Sequence, residues 1–288
     1  MVDVHVVKHL EEAALQIKIN LLELCEQKSI HIGGDLSVCN IMTAIWQWKI
    51  KYDVQNPRWE KRDRFVLSKG HASAVTSFNQ AAIGCYNLED IYMEYATDFG
   101  RFGMHSCNLI NPFVDVSTGS LGHGLPLAVG MALALKKKGN SESRVYCVMG
   151  DGEQNEGSIW EGVMAAKSFK LGNLIGAIDR NKMQFDGYAD DCLPMGDLAA
   201  KYRAFEWNVV EIDGNSMEDI LSALDSLPPP DTDIPTVIIA NTTKGFGVSF
   251  MENNRYWHMG QVTNIQKETA IQELNDAYAK KWGNTKDE

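Results

Sequence analysis

The stretch VMGDGEQNEGSIWEG, residues 148–162, decides the reading of this chain. An apolar run over 145–149 enters Gly150-Asp151-Gly152, and a helix-like run follows Gly157. Glycines on either side let the backbone turn sharply and approach a ligand closely. Asp151 then stands at a strand end, and two readings are open. In one, Gly-Asp-Gly is a strand-to-helix turn whose acids, Asp151 with Glu153, Glu156 and Glu161, favour the positive end of the next helix. In the other, Asp151 faces a crevice and holds something there. Short glycine motifs match often, so this stretch alone leaves both standing.

Working outward, the chain alternates helix and strand. Leu10, Ala14, Ile17, Leu21 and Leu24 recur at helical spacing and predict an opening amphipathic helix. A loop SIHIGGDLS (29–37) precedes a helix over about 38–48. RFVLSKGHAS reads as a strand at 65–67, a glycine loop and a helix. A long polar loop, a glycine-rich turn and an Ala/Leu helix ending in lysines before Gly139 come next. Strands at 145–149, 174–178, 209–212 and 236–240 then alternate with helices at 158–170, near 198–205, at 217–227 and at 265–281. Pro228 to Pro230 read as a surface turn. Alternation with apolar, β-branched strands predicts an α/β fold, a parallel β-sheet with helices on both faces. Ligands of such sheets sit at the carboxyl ends of strands, where both LSKGH and MGDGE fall.

Composition narrows the function. The chain has 288 residues and a formal net charge of -11, which argues against a nucleic-acid surface, since that would show as a basic stripe. A phosphate ligand is still compatible, because backbone N–H groups and a metal meet it locally. The 6 cysteines are scattered without CxxC pairs, as expected of reduced thiols in a cytoplasmic protein. The N-terminus lacks the apolar core of a signal peptide. The longest apolar run, 125–135, is too short to span a bilayer, so no membrane association is expected.

DRNKMQFDG, one helix and one strand after Asp151, carries Asn181. Adjacent strands of a βαβ unit would bring Asp151 and Asn181 together at one sheet edge. A carboxylate, an amide oxygen and a backbone carbonyl are hard ligands suited to Mg²⁺ or Ca²⁺, which would keep water and bind ligand phosphates. Of 7 histidines, His5 and His9 read as surface residues. His31, His71, His105, His123 and His258 lie in glycine-rich or polar loops, where imidazoles bind hydroxyls and move protons.

GDGEQNEG…LGNLIGAIDRN, with its spaced Asn, resembles the thiamine-diphosphate motif. Together with SKGHAS, STGSLGHGLPLAVGMALA and TTKGFGVSFMENNRYWHMG it resembles the transketolase family, over nearly the whole chain. The resemblance implies a single thiamine-diphosphate-binding domain over 1–288. It implies Asp151, Asn181 and the main-chain carbonyl of Met183 as ligands of Mg²⁺ or Ca²⁺. Gly150, Gly152 and His71 would lie along the diphosphate, and Gly119 and Leu121 against the cofactor rings. Glu156 would belong to a network linking cofactors between subunits. His31, His105 and His258 would face substrate, His258 also approaching the cofactor. The implied activity is transfer of a two-carbon ketol unit from a ketose or ketose phosphate to an aldehyde.

The chain departs from the family pattern at several positions. Ile30 stands where Gly is usual, Asp35 where a small residue is common, and His123 where Gln is frequent. HSCNLINPF lacks the usual GHP around His105. These changes bear on the sugar substrates more than on the cofactor. The chain ends where family members continue into a pyrimidine-binding domain and a third domain. The expectation is therefore the N-terminal subunit of a split transketolase, needing a C-terminal partner subunit in an α2β2 assembly. Three alternatives remain: another thiamine-diphosphate enzyme such as a synthase or a 2-oxo acid dehydrogenase first component, a dinucleotide oxidoreductase, and a non-catalytic assembly subunit. The second lacks GxGxxG and a strand before the opening helix.

Overall fold

The structure is a computed structural model and describes residues 2–283. Five strands form one sheet: β1 (Arg64–Leu67), β2 (Val145–Gly150), β3 (Leu174–Arg180), β4 (Asn208–Asp213) and β5 (Thr236–Asn241), in the order β1-β2-β3-β5-β4. Every pairing is parallel. Because side chains alternate across a strand, each central strand feeds two cores. On β2, Tyr146 and Val148 pack on one face and Val145, Cys147 and Met149 on the other. On β5, Ile238 and Ala240 share the first face, Val237 and Ile239 the second.

Helices α1 (Val4–Gln27), α2 (Ile32–Ala44), α3 (Ser73–Ala82), α9 (Met217–Asp225) and α10 (Asn264–Trp282) cover the first face. Helices α5 (Gly124–Lys137), α6 (Gly157–Ser168) and α8 (Leu198–Ala204) cover the second. Two short helices, α4 (Leu88–Glu94) and α7 (Ala189–Cys192), decorate the loops. This is the α/β arrangement expected from the strand–helix alternation, and the proline cluster does turn between α9 and β5.

One boundary differs in a way that matters. The segment expected as a loop over 29–37 is helical from Ile32, so Gly33, Gly34 and Asp35 form the first turn of α2. A Cβ on Gly33 would stand 2.5 Å from the Trp257 carbonyl oxygen, so the C-terminal segment crosses that turn too closely for any side chain. Gly33 there serves close packing rather than chain reversal. A π-helical turn, Ile45–Lys49, prolongs α2.

Candidate active site

Four loops converge at the carboxyl edge of the sheet. β1 delivers residues 68–71, β2 delivers 151–152, β3 delivers 181–183 and β5 delivers 242–244. A cleft of about 380 Å³ opens between them, walled on the other sides by the start of α2, the loop preceding α5 and His258. The position is the one that strand polarity dictates for ligands of open α/β sheets.

Asp151 heads a 3₁₀ turn, Gly152–Asn155, with no side-chain capping bond. Its Oδ2 instead accepts from the Lys182 N–H across the β2–β3 crevice at 2.6 Å. The Asn181 Oδ1 accepts from the Met183 N–H at 3.1 Å. Burial pushes the Asp151 carboxyl up to about 6, partly offset by that Lys182 bond and by Arg180. The capping reading fails for the neighbouring acid too. Glu153 is 1 % exposed and accepts from the Gly150 N–H and the Gly122 N–H, each at 2.8 Å, and from the Ser68 hydroxyl. One buried carboxylate thus ties three of the loops together. Glu156, at the N-cap of α6, is exposed at the cleft mouth.

Beneath the cleft lies a buried charge network. Lys69 Nζ donates to Asp179 Oδ2 at 2.5 Å and to the Gly34 carbonyl at 3.0 Å. Asp179 also accepts from the Ser37 hydroxyl at 2.6 Å, from the Thr242 hydroxyl and from the Asn181 amide at 3.2 Å. Lys244 is 2 % exposed and forms no carboxylate pair among the described residues. Its Nζ meets His258 Nδ1 at 2.8 Å. Burial and the Lys69 charge bring the Lys244 ammonium down to about 8. Asp179 pairs with Lys69 alone, so the Lys244 ammonium, with no carboxylate partner among the described residues, is the group on the floor suited to meet an anion.

Over that floor stand four imidazoles. Ring centroids are 5.2 Å apart for His31 and His71, 6.0 Å for His31 and His105, and 5.7 Å for His31 and His258. Burial first, then the neighbouring imidazole and lysine charges, hold His31 down at about 4 and His258 at about 3. His71 falls well below its ordinary value for the same reasons. His31 Nδ1 is buried without a partner.

The residues that the family resemblance assigned to the site line this one cleft: His31, His71, His105, Gly119, Leu121, Gly150, Asp151, Gly152, Glu156, Asn181, Met183 and His258. His123 does not; it caps α5 and is exposed, with Nδ1 against the Leu121 carbonyl at 3.2 Å. Sequence reasoning missed Lys69, Asp179 and Lys244 as members of the site. Lys69 beside Gly70-His71 and Lys244 before Gly245 were visible as lysines inside glycine loops. Asp179 carried no such signal, being the polar residue near the end of an apolar strand. Among the described residues no cluster of three or more His, Cys, Asp or Glu is arranged to hold a metal. A cation here would need oxygens from a ligand as well as from Asp151 and Asn181.

An α/β protein with a cleft of buried lysines, carboxylates and imidazoles at its strand ends is the class defined by fold and site. Residues 12–280 match the family model described as Transketolase, thiamine diphosphate binding domain. The chain belongs to the transketolase family, whose members are transferases, and corresponds to its N-terminal, thiamine-diphosphate-binding subunit. It is 38% identical over 274 residues to a subunit of the apulose-4-phosphate transketolase of Phocaeicola vulgatus, covering 94% of this chain and 96% of that one. It is 37% identical over 258 residues to the 6-deoxy-6-sulfo-D-fructose transketolase subunit SqwG of a Clostridium species, covering 89% and 92%. Human transketolase is 32% identical over 268 residues, which is 92% of this chain but 42% of the human protein. The crystal structure of Campylobacter jejuni transketolase superposes with a TM-score of 0.83 at 26% identity, covering 95% of this chain and 43% of that one.

Proposed function

We propose that this chain forms the diphosphate-binding half of a two-subunit, Mg²⁺-dependent transketolase that moves a two-carbon ketol unit from a ketose or ketose phosphate to an aldehyde. The observation that carries it is the convergence of Asp151, Asn181 and the Met183 segment with the buried cations Lys69 and Lys244 in one cleft. The donor set fits the cofactor: hard oxygens for a divalent ion, ammoniums for the diphosphate, and a buried His31 Nδ1 left without a partner. Mg²⁺ or Ca²⁺ would be held by Asp151, Asn181 and the Met183 carbonyl. Lys69, Lys244, His71 and the backbone at Gly150 and Gly152 would hold the diphosphate, with Gly119 and Leu121 against the rings.

When bound, thiamine diphosphate supplies the electron sink for carbanion chemistry. The chain's own residues bind, orient and move protons. His31, His105 and His258 hydrogen-bond the hydroxyl and carbonyl oxygens of the ketose, and protons move through this group of imidazoles. Exclusion of water by a partner chain would strengthen each of those bonds. Both equal-length relatives are named as subunits of a transketolase, which supports a C-terminal partner chain here, in an α2β2 assembly with Glu156 at the junction. All 6 cysteines are unpaired, which supports a reducing, cytoplasmic setting. Among the described residues no helix is long and apolar enough to cross a membrane.

Calorimetric titration of thiamine diphosphate into the assembled enzyme tests the reading, with Mg²⁺ and then with EDTA. The expected outcome is metal-dependent binding that Asp151→Ala reduces by about 10- to 100-fold, the order of losing a charge-assisted ligand contact. Binding that survives both EDTA and Asp151→Ala would overturn it.

A further inference from the structure

Lys244 follows β5, and His258 follows the 3₁₀ turn Arg255–Trp257. The two segments meet where Lys244 Nζ lies 2.8 Å from His258 Nδ1. An ammonium only donates, so Nδ1 must accept and carries no proton. Lys244 is cationic at neutral pH, since burial and Lys69 bring it down only to about 8. His258 is neutral there, held at about 3 by burial and then by Lys244, His31 and Lys69. A neutral imidazole whose Nδ1 accepts must hold its one proton on Nε2, the ring nitrogen pointing away from the lysine. The other neighbours of the ring do not compete. His71 stacks on it with centroids 5.7 Å apart, and His31 and Phe185 meet it edge-on at 5.7 Å and 5.2 Å. Among the described residues no carboxylate pairs with His258 to draw a proton onto Nδ1.

We propose that Lys244 is a positioning residue that locks His258 in the Nε2–H tautomer, so that this imidazole serves the cleft as a neutral hydrogen-bond donor. The role toward a ketose oxygen rests on the transketolase reading above; the tautomer itself does not. A donor of this kind stabilises negative charge as it develops on a substrate oxygen. It takes up no proton at Nε2, which leaves proton acceptance to a neighbouring imidazole. Lys244 thereby does two things at once: it gives the floor its charge and it fixes the hydrogen-bonding sense of the ring above.

The test is long-range proton–nitrogen correlation spectroscopy on the full chain with isotope-labelled histidine at neutral pH, without cofactor. The His258 signals are identified by their loss in His258→Gln. The expected spectrum has a protonated Nε2 and an unprotonated Nδ1, with that tautomer in at least about tenfold excess, the scale of one charge-assisted hydrogen bond. Lys244→Met should convert it to a mixture of tautomers, and Lys244→Arg, which also donates, should restore the preference. A protonated Nδ1 in the unaltered chain, or a pattern that Lys244→Met leaves unchanged, overturns the proposal. The unaltered chain alone decides the first point if a variant fails to fold. Neither activity nor cofactor enters the measurement, so its failure leaves the transketolase reading untouched, and the converse holds.

Discussion

Replacing Asp179 with Asn removes one charge from the buried pair under the cleft while keeping the side-chain shape. In the native protein Lys69 and Asp179 are 2.5 Å apart, with side chains 1% and 0% exposed. At an effective dielectric constant of about 20, such charges attract by roughly 7 kcal/mol. Desolvating each ion costs several kcal/mol, so the intact pair comes close to breaking even. The single variant does not. It leaves the Lys69 ammonium buried without its counter-ion, and the Ser37 and Thr242 hydroxyls facing a weaker acceptor. The expected loss is about 3–5 kcal/mol. Lys69→Met combined with Asp179→Asn removes both charges and should cost distinctly less than Asp179→Asn alone. Urea unfolding followed by circular dichroism and tryptophan fluorescence, with coincident transitions and a constant slope, gives the comparison. A single variant that loses less than about 1 kcal/mol, or a double variant no more stable than the single, would refute the account of the floor as a paired buried charge.

Asp35 supplies a pH signature. It is 0% exposed, with Oδ1 accepting from the Val75 N–H at 3.2 Å and Oδ2 unpartnered, and burial pushes its carboxyl up to about 7. The folded value lies above the unfolded one, so between about pH 4 and 7 the folded protein keeps a proton that the unfolded chain releases. Stability therefore falls as pH rises through that window, by about 4 kcal/mol in all. Asp35→Asn keeps the Val75 bond and should flatten this slope, which urea midpoints at the two ends of the window would register; an unchanged slope contradicts the assignment. Gly70→Ala places a Cβ 2.7 Å from the Gly119 nitrogen and 2.9 Å from the Thr118 Oγ1. Backbone has to move to accept it, so a loss of about 1–3 kcal/mol is expected in thermal melts, with weaker thiamine diphosphate binding by calorimetry. A fully native melting temperature would show the contact to be slack.

The sequence by itself determined the class of fold and most of the cleft. Periodicity marks helix and strand because burial on one face imposes it locally, so β2, β3, β5 and the long helices were legible from apolar spacing. Asp151 and Asn181 were legible as partners because consecutive parallel strands joined by one helix must lie close, and strand polarity sends both loops to the same edge. The histidines stood out because imidazoles in glycine loops have few structural uses. Tertiary structure decided the rest. Whether Gly33-Gly34 turned the chain or let a helix pass under Trp257 depended on a segment more than two hundred residues away. His123 looked like its neighbours in sequence, yet the direction of α5 turns it out of the cleft. Lys69, Asp179 and Lys244 come from three different strand ends, and their charges acquire meaning only once burial sets Lys69 against Asp179 and Lys244 against His258. A local pattern records which face of an element is buried; which charges meet inside is a property of how the elements are brought together.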